Sequence, residues 1–442
     1  MKKILRIGKG VKVRRARVKE ICELPLNVLD VDMKTELIQA LIPIGLWHVK
    51  EVLEQEVKQL AGEGYQRGGL AGHDRWGKQG GSVYLGDQKL PIEVPRVRDQ
   101  RERKEVPLRS YERLQEPRSG DEGVLKRILH GLSCRSYEEC AEAVPEAFGL
   151  RGSTVSRRFI RASARQLKRL CERRLEGYDF VALILDGKSF GSDEMVIALG
   201  VTGEGRKILL GFIQTGAENE RVCREMLEGL LERGLRIEGG LLCVIDGSKG
   251  LRKAIYGVFG NKALIQRCQW HKRENVVGYL PKSMQGSMRR KLQEAYQEST
   301  YERAKDKLSK IRKELQLINQ SAVSSLDEGL EETLTLHRLG LFRELGISFK
   351  TTNCIESLMA LIGQKTDKVD YWKNSDQKHR WLAAALLDIE PRLRKVKGYR
   401  YLLQLRIAIQ KEMERRKVVQ EQVKEAAWGD TIRYGPSREN GL

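Results

Sequence analysis

The alternation of apolar and polar positions is clearest in the middle of the chain, where short apolar runs are separated by turn residues. Two of these runs, 181–185 and 241–245, are almost purely apolar, which is typical of strands buried on both faces. Each run is followed at once by Asp-Gly, at Asp186 and at Asp246. The pattern therefore predicts two strands of one sheet, each ending abruptly in a carboxylate.

The residues between these strands predict further elements of the same domain. Alternating apolar positions on both sides of the turn Gly203-Glu204-Gly205 predict a hairpin with strands over 195–201 and 208–213. Apolar residues at helical spacing from Asn219 to Gly234 predict a helix. The order up to residue 271 is strand, strand, strand, helix, strand, helix, strand, which indicates an α/β domain with a mixed sheet.

The N-terminal part of the chain has a different pattern. Residues 34–60 predict a pair of short helices, because Pro43 and Gly45 interrupt the helical spacing. A hairpin is predicted next, with a strand on each side of the turn Gly86-Asp87 and with Arg96 and Arg98 extending from it.

Three helical stretches follow the hairpin, at 121–132, 136–143 and 153–170. Ser153 is a suitable N-cap for the third helix, and the layout is that of a helix-turn-helix whose last helix enters a major groove. The residues predicted to bind DNA are Ser153, Ser156, Arg157, Arg158, Arg161, Arg96 and Arg98. The alternative is a basic helix that only packs on its neighbours.

Beyond Trp270 the strand pattern stops and helical spacing takes over. Residues 272–341 predict an all-helical insertion, and the chain is again helical and basic from Thr366 onward. The residues after about Trp428 are expected to be disordered.

The composition adds a strong positive charge. Among 442 residues, Lys and Arg number 81 and Asp and Glu number 60, which gives a net charge of +21 and a pI near 9.6. Such a chain is expected to bind a polyanion, with nucleic acid ahead of a membrane surface. The eight cysteines form no paired framework and no apolar run is long enough to span a membrane, so we expect a cytoplasmic, nucleoid-associated protein.

The two predicted strand ends also indicate a chemistry. A carboxylate at the end of a buried strand is costly unless it is paired or binds a cation, so two of them indicate a shared metal site. Two motifs follow, Cys268-Gln-Trp-His271 and Asn353-Cys-Ile-Glu356. Together with Asp186 and with Asp246 in Asp246-Gly-Ser-Lys-Gly-Leu, they resemble the Mutator-type transposases of bacterial insertion sequences over about residues 30–385.

The resemblance implies a DDE transposase with a ribonuclease H-like catalytic domain. Asp186 would then bridge two Mg²⁺ or Mn²⁺ ions, Asp246 would hold one, and Glu356 would complete the other. The residues expected to support the site are Cys268, His271, Trp270, which could stack on an unpaired base, and Lys188, which could approach a DNA phosphate. The implied partners are double-stranded DNA, as element ends and as target, and further copies of the chain in a homodimer or higher oligomer.

Two other readings of these motifs fail on context. Gly187-Lys188-Ser189 matches the end of a P-loop, but Ala182 stands where the first glycine should be and a strand follows in place of a helix. Cys268 and His271 have a spacing that suits zinc, yet no second pair lies at a finger-like interval, so no zinc is expected.

Two alternatives stay open at the level of function. A ribonuclease H-like nuclease or resolvase would cleave DNA without joining it, and a repressor descended from a transposase would bind DNA with its chemistry lost.

At Glu356 the competing interpretation is a capping box, in which Asn353 caps the helix and Glu356 reaches back to the Asn353 backbone.

A chain of 442 residues is expected to form several domains. The predicted parts are a basic arm (1–30), helices with a β-hairpin (31–117), a helix-turn-helix (118–175), the first part of the catalytic core (176–271), a helical insertion (272–345), the second part of the core with the catalytic Glu (346–390) and a basic helical tail (391–442).

Overall fold

The computed structural model describes residues 31–64, 72–85, 88–115, 118–140, 149–216 and 219–433. The chain divides into two compact units, with the boundary between Ser163 and Ala164. The predicted basic arm at 1–30 lies outside the described residues, as do residues 434–442. The finer seven-part division stays a prediction.

The first unit combines one long helix, a three-stranded antiparallel sheet and several shorter helices. Its elements are α1 (Val31–Ala61), β1 (His73–Leu85), β2 (Gln88–Asp99), β3 (Glu105–Val106), α2 (Arg109–Gln115), α3 (Arg118–Leu129), α4 (Tyr137–Cys140) and α5 (Gly152–Cys171), which continues into the second unit. The sheet has the order β1-β2-β3, and β1 pairs antiparallel with β2, so the predicted hairpin is confirmed.

The prediction of two short helices within 34–60 is wrong, because α1 runs unbroken past Pro43 and Gly45. A proline inside a helix costs about 3 kcal/mol. On the same helix, however, Val49, Leu53 and Val57 are buried against the sheet. Burial of these three apolar side chains stabilises the helix by more than the local preference of Pro43 and Gly45 destabilises it. Tertiary packing therefore keeps α1 continuous.

The helix α5 is held to α3 by a buried ion pair. Arg158 is 1% exposed, and its Nε donates to Oδ1 of the fully buried Asp121 at 3.0 Å. Arg161 also contacts Asp121, at 3.3 Å, but half of its side chain is exposed. The prediction that Arg158 faces DNA is therefore wrong for this structure, because its guanidinium lies inside the unit.

The second unit is built on a five-stranded mixed sheet. Its elements as far as the last strand are β4 (Phe180–Phe190), β5 (Asp193–Thr202), β6 (Lys207–Thr215), α6 (Glu220–Glu232), β7 (Leu241–Ile245), α7 (Lys249–Phe259) and β8 (Ala263–Arg267). The strand order is β6-β5-β4-β7-β8, with β4, β5 and β6 antiparallel and with β7 and β8 parallel to β4. The predicted order of strands and helices and the α/β fold class are confirmed.

One predicted boundary is wrong, because β4 does not end at Asp186. Its parallel pairing with β7 stops at Leu185, while its antiparallel pairing with β5 continues through Asp186 and Gly187 to Phe190. The chain turns only at Gly191, whose φ of +62° suits glycine. At Asp186, β4 is therefore no longer paired with β7 on one side but is still paired with β5 on the other.

All described elements after β8 are helical, as predicted. They are α8 (Gln269–Gly278), α9 (Lys282–Tyr296), α10 (Tyr301–Gln316), α11 (Gln320–Asp327), α12 (Leu330–Thr333), α13 (Thr335–Arg338), α14 (Phe342–Phe349), α15 (Asn353–Thr366), α16 (Ser375–Ile389) and α17 (Leu402–Arg433). The last helix continues past Trp428, so the expectation of disorder is wrong as far as Arg433. Within the described part of the chain, no helix is long and apolar enough to cross a membrane.

The sheet of the second unit is covered on both faces. One face packs against α14, α15, α16 and α17, through residues such as Leu345, Leu358 and Leu386. The other face packs against α6 and α7, through Leu227 and Ile255 among others. The helices from α8 to α12 have an apolar cluster of their own, so the insertion folds around a separate core. The catalytic candidates all lie at the edge of this covered sheet.

The buried contact between Arg158 and Asp121 generates a stability prediction. Arg158→Ala should lower the free energy of unfolding by about 3–5 kcal/mol, because it removes the buried partner of a fully buried carboxylate. The matched control is Arg157→Ala, one residue earlier and exposed on the same helix, which should stay within about 0.5 kcal/mol of the parent. Denaturant unfolding measures both. Equal stability of the two variants would contradict the structural role of Arg158.

Candidate active site

The parallel pairing of β4 and β7 brings Asp186 and Asp246 to the same edge of the sheet. Leu185 is the register partner of Ile245, and each is followed directly by one of the two aspartates. Neighbouring strands lie about 4.8 Å apart, so the two carboxylates come from adjacent points of the sheet. The prediction that these strand ends are neighbours is confirmed.

Asp186 is the most deeply buried acidic group of this cluster. Its side chain is 1% exposed, and within the described residues its carboxylate contacts Lys188 and the Thr352 side chain without a hydrogen bond of regular geometry. Burial raises the pKa of Asp186 to about 7; the nearby Lys188 ammonium opposes this shift, and the charge of Asp246 adds to it. A carboxyl group in this setting is stabilised as an anion mainly by cations brought next to it.

Lys188 supplies such a cation and joins Asp186 to Glu356. Its Nζ lies 3.3 Å from Asp186 Oδ2 and 3.6 Å from Glu356 Oε1. Burial disfavours the charged ammonium, yet the charges of Asp186 and Glu356 outweigh that effect, so the pKa of Lys188 is raised. One ammonium is therefore shared by two carboxylates that come from different elements.

Glu356 reaches the cluster from the first turn of α15. The capping box considered for it is wrong, because Thr352 occupies the N-cap position and Asn353 is already helical and exposed. The Thr352 side chain is fully buried and faces Asp186, where it lowers the carboxyl pKa. Glu356 thus points at Lys188 and His271, and α15 begins at the candidate active site.

Asp246 lies in the short loop between β7 and α7. Its Oδ1 accepts a hydrogen bond from the Ser248 backbone N–H at 3.0 Å, and the Ser248 hydroxyl in turn caps α7 by accepting from Leu251 N–H at 3.2 Å. Gly247 between them has a φ of +129°, which favours glycine. The Asp-Gly-Ser sequence therefore forms a compact turn that holds Asp246 half-buried at the sheet edge.

The Cys-x-x-His motif forms the start of α8 beside these carboxylates. Cys268 is 1% exposed at the N-cap position, and its backbone N–H donates to the Ile245 carbonyl at 2.7 Å. Burial raises the pKa of its thiol, although backbone N–H groups of His271, Thr352 and Trp270 oppose this. Cys268 is thus a buried residue that anchors α8 to the end of β7.

His271 and Trp270 point from α8 toward the site and toward solvent, respectively. His271 Nε2 lies 3.9 Å from Glu356 Oε1, and burial lowers the pKa of its imidazole despite the opposing charges of Asp246 and Glu356. Trp270 is 44% exposed and packs edge-on against the His271 ring with 4.8 Å between centroids. Trp270 therefore keeps part of its ring open to solvent.

The carboxylates fit a hard cation in donor type but are not arranged around one. Among the described residues, no three His, Cys, Asp or Glu side chains lie close enough to hold a metal ion. Asp186 nevertheless has buried oxygens without hydrogen bonds of regular geometry, and a positively charged ammonium already lies between it and Glu356. The oxygen donors and the position of that charge both fit a divalent cation. The absence of zinc at Cys268 and His271 stays a prediction.

The residues predicted to bind DNA lie mainly on the surface of the first unit. Arg96 pairs with Glu105 at 2.7 Å, and the Arg98 guanidinium lies 4.1 Å from the centre of the Trp76 ring. On α5, Ser153 and Arg157 are exposed, whereas Ser156 is half-buried. Ser153 lies inside the helix, which begins at Gly152, so its prediction as the N-cap is wrong. Whether these side chains contact DNA stays a prediction.

Sequence patterns missed two features of the site. Nothing in the sequence marks Thr352 except that it precedes the Asn-Cys-Ile-Glu motif, and Lys188 was expected to approach a phosphate rather than to join two carboxylates. Both features depend on α15 being packed against β4.

Comparison with known proteins gives consistent matches. A family described as "Transposase, Mutator family" matches residues 27–394. The chain is 26% identical over 314 residues to the transposase for insertion sequence element IS256 in transposon Tn4001 of Staphylococcus aureus, a match that covers 68% of this chain and 77% of that protein. It is also 27% identical over 353 residues to the transposase for insertion sequence element ISRM5 of Rhizobium meliloti (strain 1021), with coverages of 77% and 85%.

The burial of Asp186 generates a prediction about pH. Its pKa is about 7 in the folded protein and near 4 in an unfolded chain, so the folded state binds this proton more strongly between these values. The stability that this carboxyl contributes is fully present below about pH 4 and is lost as the pH rises through about 7. Asp186→Asn cannot titrate. Without divalent cations, the melting temperature of the variant minus that of the parent should therefore increase from pH 5 to pH 8.

The matched control for this measurement is Asp306→Asn, which removes an exposed carboxylate of α10. Its melting temperature should differ from that of the parent by nearly the same amount at both pH values. A constant difference between Asp186→Asn and the parent across the same range would show that Asp186 is not held at a raised pKa.

Proposed function

The chain belongs to the Mutator family of transposases, and from this membership we propose that it cuts the ends of a mobile element and joins them to target DNA. In this proposal the second unit is a ribonuclease H-like DDE catalytic domain. Its strand order, with three antiparallel strands followed by two parallel ones, supports that assignment. The observation that carries the proposal is the convergence of Asp186, Asp246 and Glu356 at one edge of this sheet.

In this proposal Asp186, Asp246 and Glu356 would hold two divalent cations, Mg²⁺ or Mn²⁺. Such ions neutralise charge on a phosphodiester and activate the attacking and leaving oxygens. Three supporting observations are the oxygen donors of the cluster, the buried Asp186 oxygens without hydrogen bonds of regular geometry and the ammonium that lies between two carboxylates. The carboxylates come from β4, the β7–α7 loop and α15, so all three are held on packed elements.

Lys188 takes a specific part in this proposal. Its Nζ lies between Asp186 and Glu356, where it compensates two negative charges in the protein without divalent cations. A cation bound by the same carboxylates would compete with the ammonium. Lys188 is 26% exposed, so its flexible side chain can turn outward when displaced and donate to a DNA phosphate.

The Cys-x-x-His motif supports the site from its other side. His271 lies 3.9 Å from Glu356 Oε1 and restricts where that carboxylate can point, while the buried Cys268 fixes the start of α8. The exposed ring of Trp270 can stack on a base that has left the duplex, because such stacking needs one open aromatic face. Stacking there would place unpaired DNA next to the carboxylates.

DNA is the proposed partner of both units, and a homodimer or higher oligomer is proposed because two element ends have to be joined to one target. The net charge of +21 supports binding to a polyanion. The residues proposed to contact DNA in the first unit are the exposed Ser153, Arg157 and Arg161 and the half-buried Ser156, Arg96 and Arg98.

Two other functions use the same residues differently. A nuclease or resolvase would need the carboxylates but would release cut DNA without joining it, and a repressor would need only the basic surfaces. The names of the related proteins, transposases of several insertion sequence elements, favour transposition over both.

The test of the proposal is Glu356→Gln. This variant keeps side-chain size and removes the negative charge, so it should fold, bind DNA carrying the element ends, and lose Mg²⁺-dependent cutting and strand transfer by at least about a hundredfold. The matched control is Glu302→Gln in the first turn of α10, which should cut normally. Near-normal cutting by Glu356→Gln would contradict the assignment, and cutting without joining by the parent would favour the nuclease.

A further inference from the structure

A cleft of about 300 Å³ lies beside the loop that carries Asp246. Its lining residues come from the first turns of α7, the end of β8 and the segment between α11 and α12: Lys249, Arg252, Lys253, Arg267, Glu328 and Gly329. The cleft adjoins the loop, because α7 begins three residues after Asp246 and a Cβ at Gly247 would lie 3.7 Å from Arg267 Nη1.

The base of the cleft is a buried arginine held in place by carboxylates. Arg267 is 3% exposed, its Nε donates to Glu332 Oε2 at 2.6 Å, and its Nη1 lies 3.7 Å from Glu328 Oε1. Gly329 has a φ of +66°, and a Cβ there would collide with the Arg267 guanidinium. A glycine is thus required for the chain to pass this close to the arginine.

Positive charge in this region exceeds the carboxylates that compensate it. Lys272 is buried behind Arg267, and its Nζ donates to the carbonyls of Ser325 and Glu328, each at 2.6 Å. The pKa of Lys272 is lowered to about 8, first by burial and then by the charge of Arg267. The cations of this cluster are Lys249, Arg252, Lys253, Arg267 and Lys272, against the carboxylates of Glu328 and Glu332. An anion in the cleft would relieve this repulsion.

Two exposed lysines can reach such an anion. Lys249 is 77% exposed and its Nζ lies 3.7 Å from Glu328 Oε1, while Lys253 is exposed and has no ion pair among the described residues. Their spacing of four places them on the same face of α7. The N-terminus of α7, capped by Ser248, adds a partial positive charge at the same end.

We propose that this cleft holds a backbone phosphate of the DNA strand, adjacent to the phosphate at which the strand is cut. Holding this phosphate would fix which nucleotide of the strand lies at Asp246. This inference rests on the proposed function, because it takes DNA as the substrate. A backbone phosphate fits better than a free nucleotide, since the described residues that line the cleft are charged apart from Gly329 and include no aromatic ring or apolar wall for a base.

The test combines Lys249→Ala and Lys253→Ala in one variant and measures binding to element-end DNA by fluorescence anisotropy without divalent cations. Single phosphates around the cleavage position are replaced one at a time by neutral methylphosphonates. We expect one of these replacements to weaken binding by the parent severalfold and to have no further effect on the double variant. The salt slope of the variant should also fall by about 1, since each phosphate contact contributes about 0.9.

The matched control is Lys282→Ala with Lys313→Ala, which removes the same charge from exposed positions of the helical insertion outside the cleft lining. This control should keep the position-specific effect of the methylphosphonates. If a methylphosphonate at one position weakens binding by the Lys249→Ala, Lys253→Ala variant as much as it weakens binding by the parent, the cleft assignment is overturned. It is also overturned if inorganic phosphate competes but no methylphosphonate has a position-specific effect. A parent protein that neither binds nor cuts DNA would contradict the proposed function instead.

Discussion

The second unit depends on how one buried carboxylate is compensated. Asp186 lies in the central strand of a sheet that is covered on both faces, where an unpaired negative charge is strongly disfavoured. The group can be accommodated by taking up a proton, by pairing with an internal cation or by binding a metal ion. The raised pKa and the Lys188 contact correspond to the first two of these states, and the proposed metal site corresponds to the third.

The surrounding fold holds this charge beside the two other carboxylates of the candidate site. The parallel pairing of β4 and β7 ends just before Asp186, so the carboxylate lies at the edge of the sheet where β7 ends, although β5 still pairs with β4 there. The same edge receives the loop of Asp246 and the first turn of α15. Because the sheet is packed between two helical layers, these three elements cannot move apart without opening its core.

Much of the sheet could be predicted because its strands are buried on both faces and therefore form uninterrupted apolar runs. Other features depend on contacts between distant residues. Arg158 belongs to a basic helix and was expected at DNA, but its environment is set by Asp121 on another helix. Thr352 carries no recognisable pattern, and its place beside Asp186 follows from the packing of α15. Pro43 and Gly45 predict helix breaks in the sequence, because the packing that keeps α1 continuous depends on residues distant in the chain.

The most direct test of this account is a titration of Mn²⁺ into the DNA-free protein, followed by electron paramagnetic resonance or calorimetry. If Asp186, Asp246 and Glu356 form a cation site in which Lys188 holds the place of the ion, the parent should bind Mn²⁺ and Asp186→Asn should not. Lys188→Met, which removes the competing ammonium, should bind Mn²⁺ more tightly than the parent. Equal binding by the parent and Asp186→Asn would contradict the metal site, and unchanged affinity in Lys188→Met would contradict the role of the lysine.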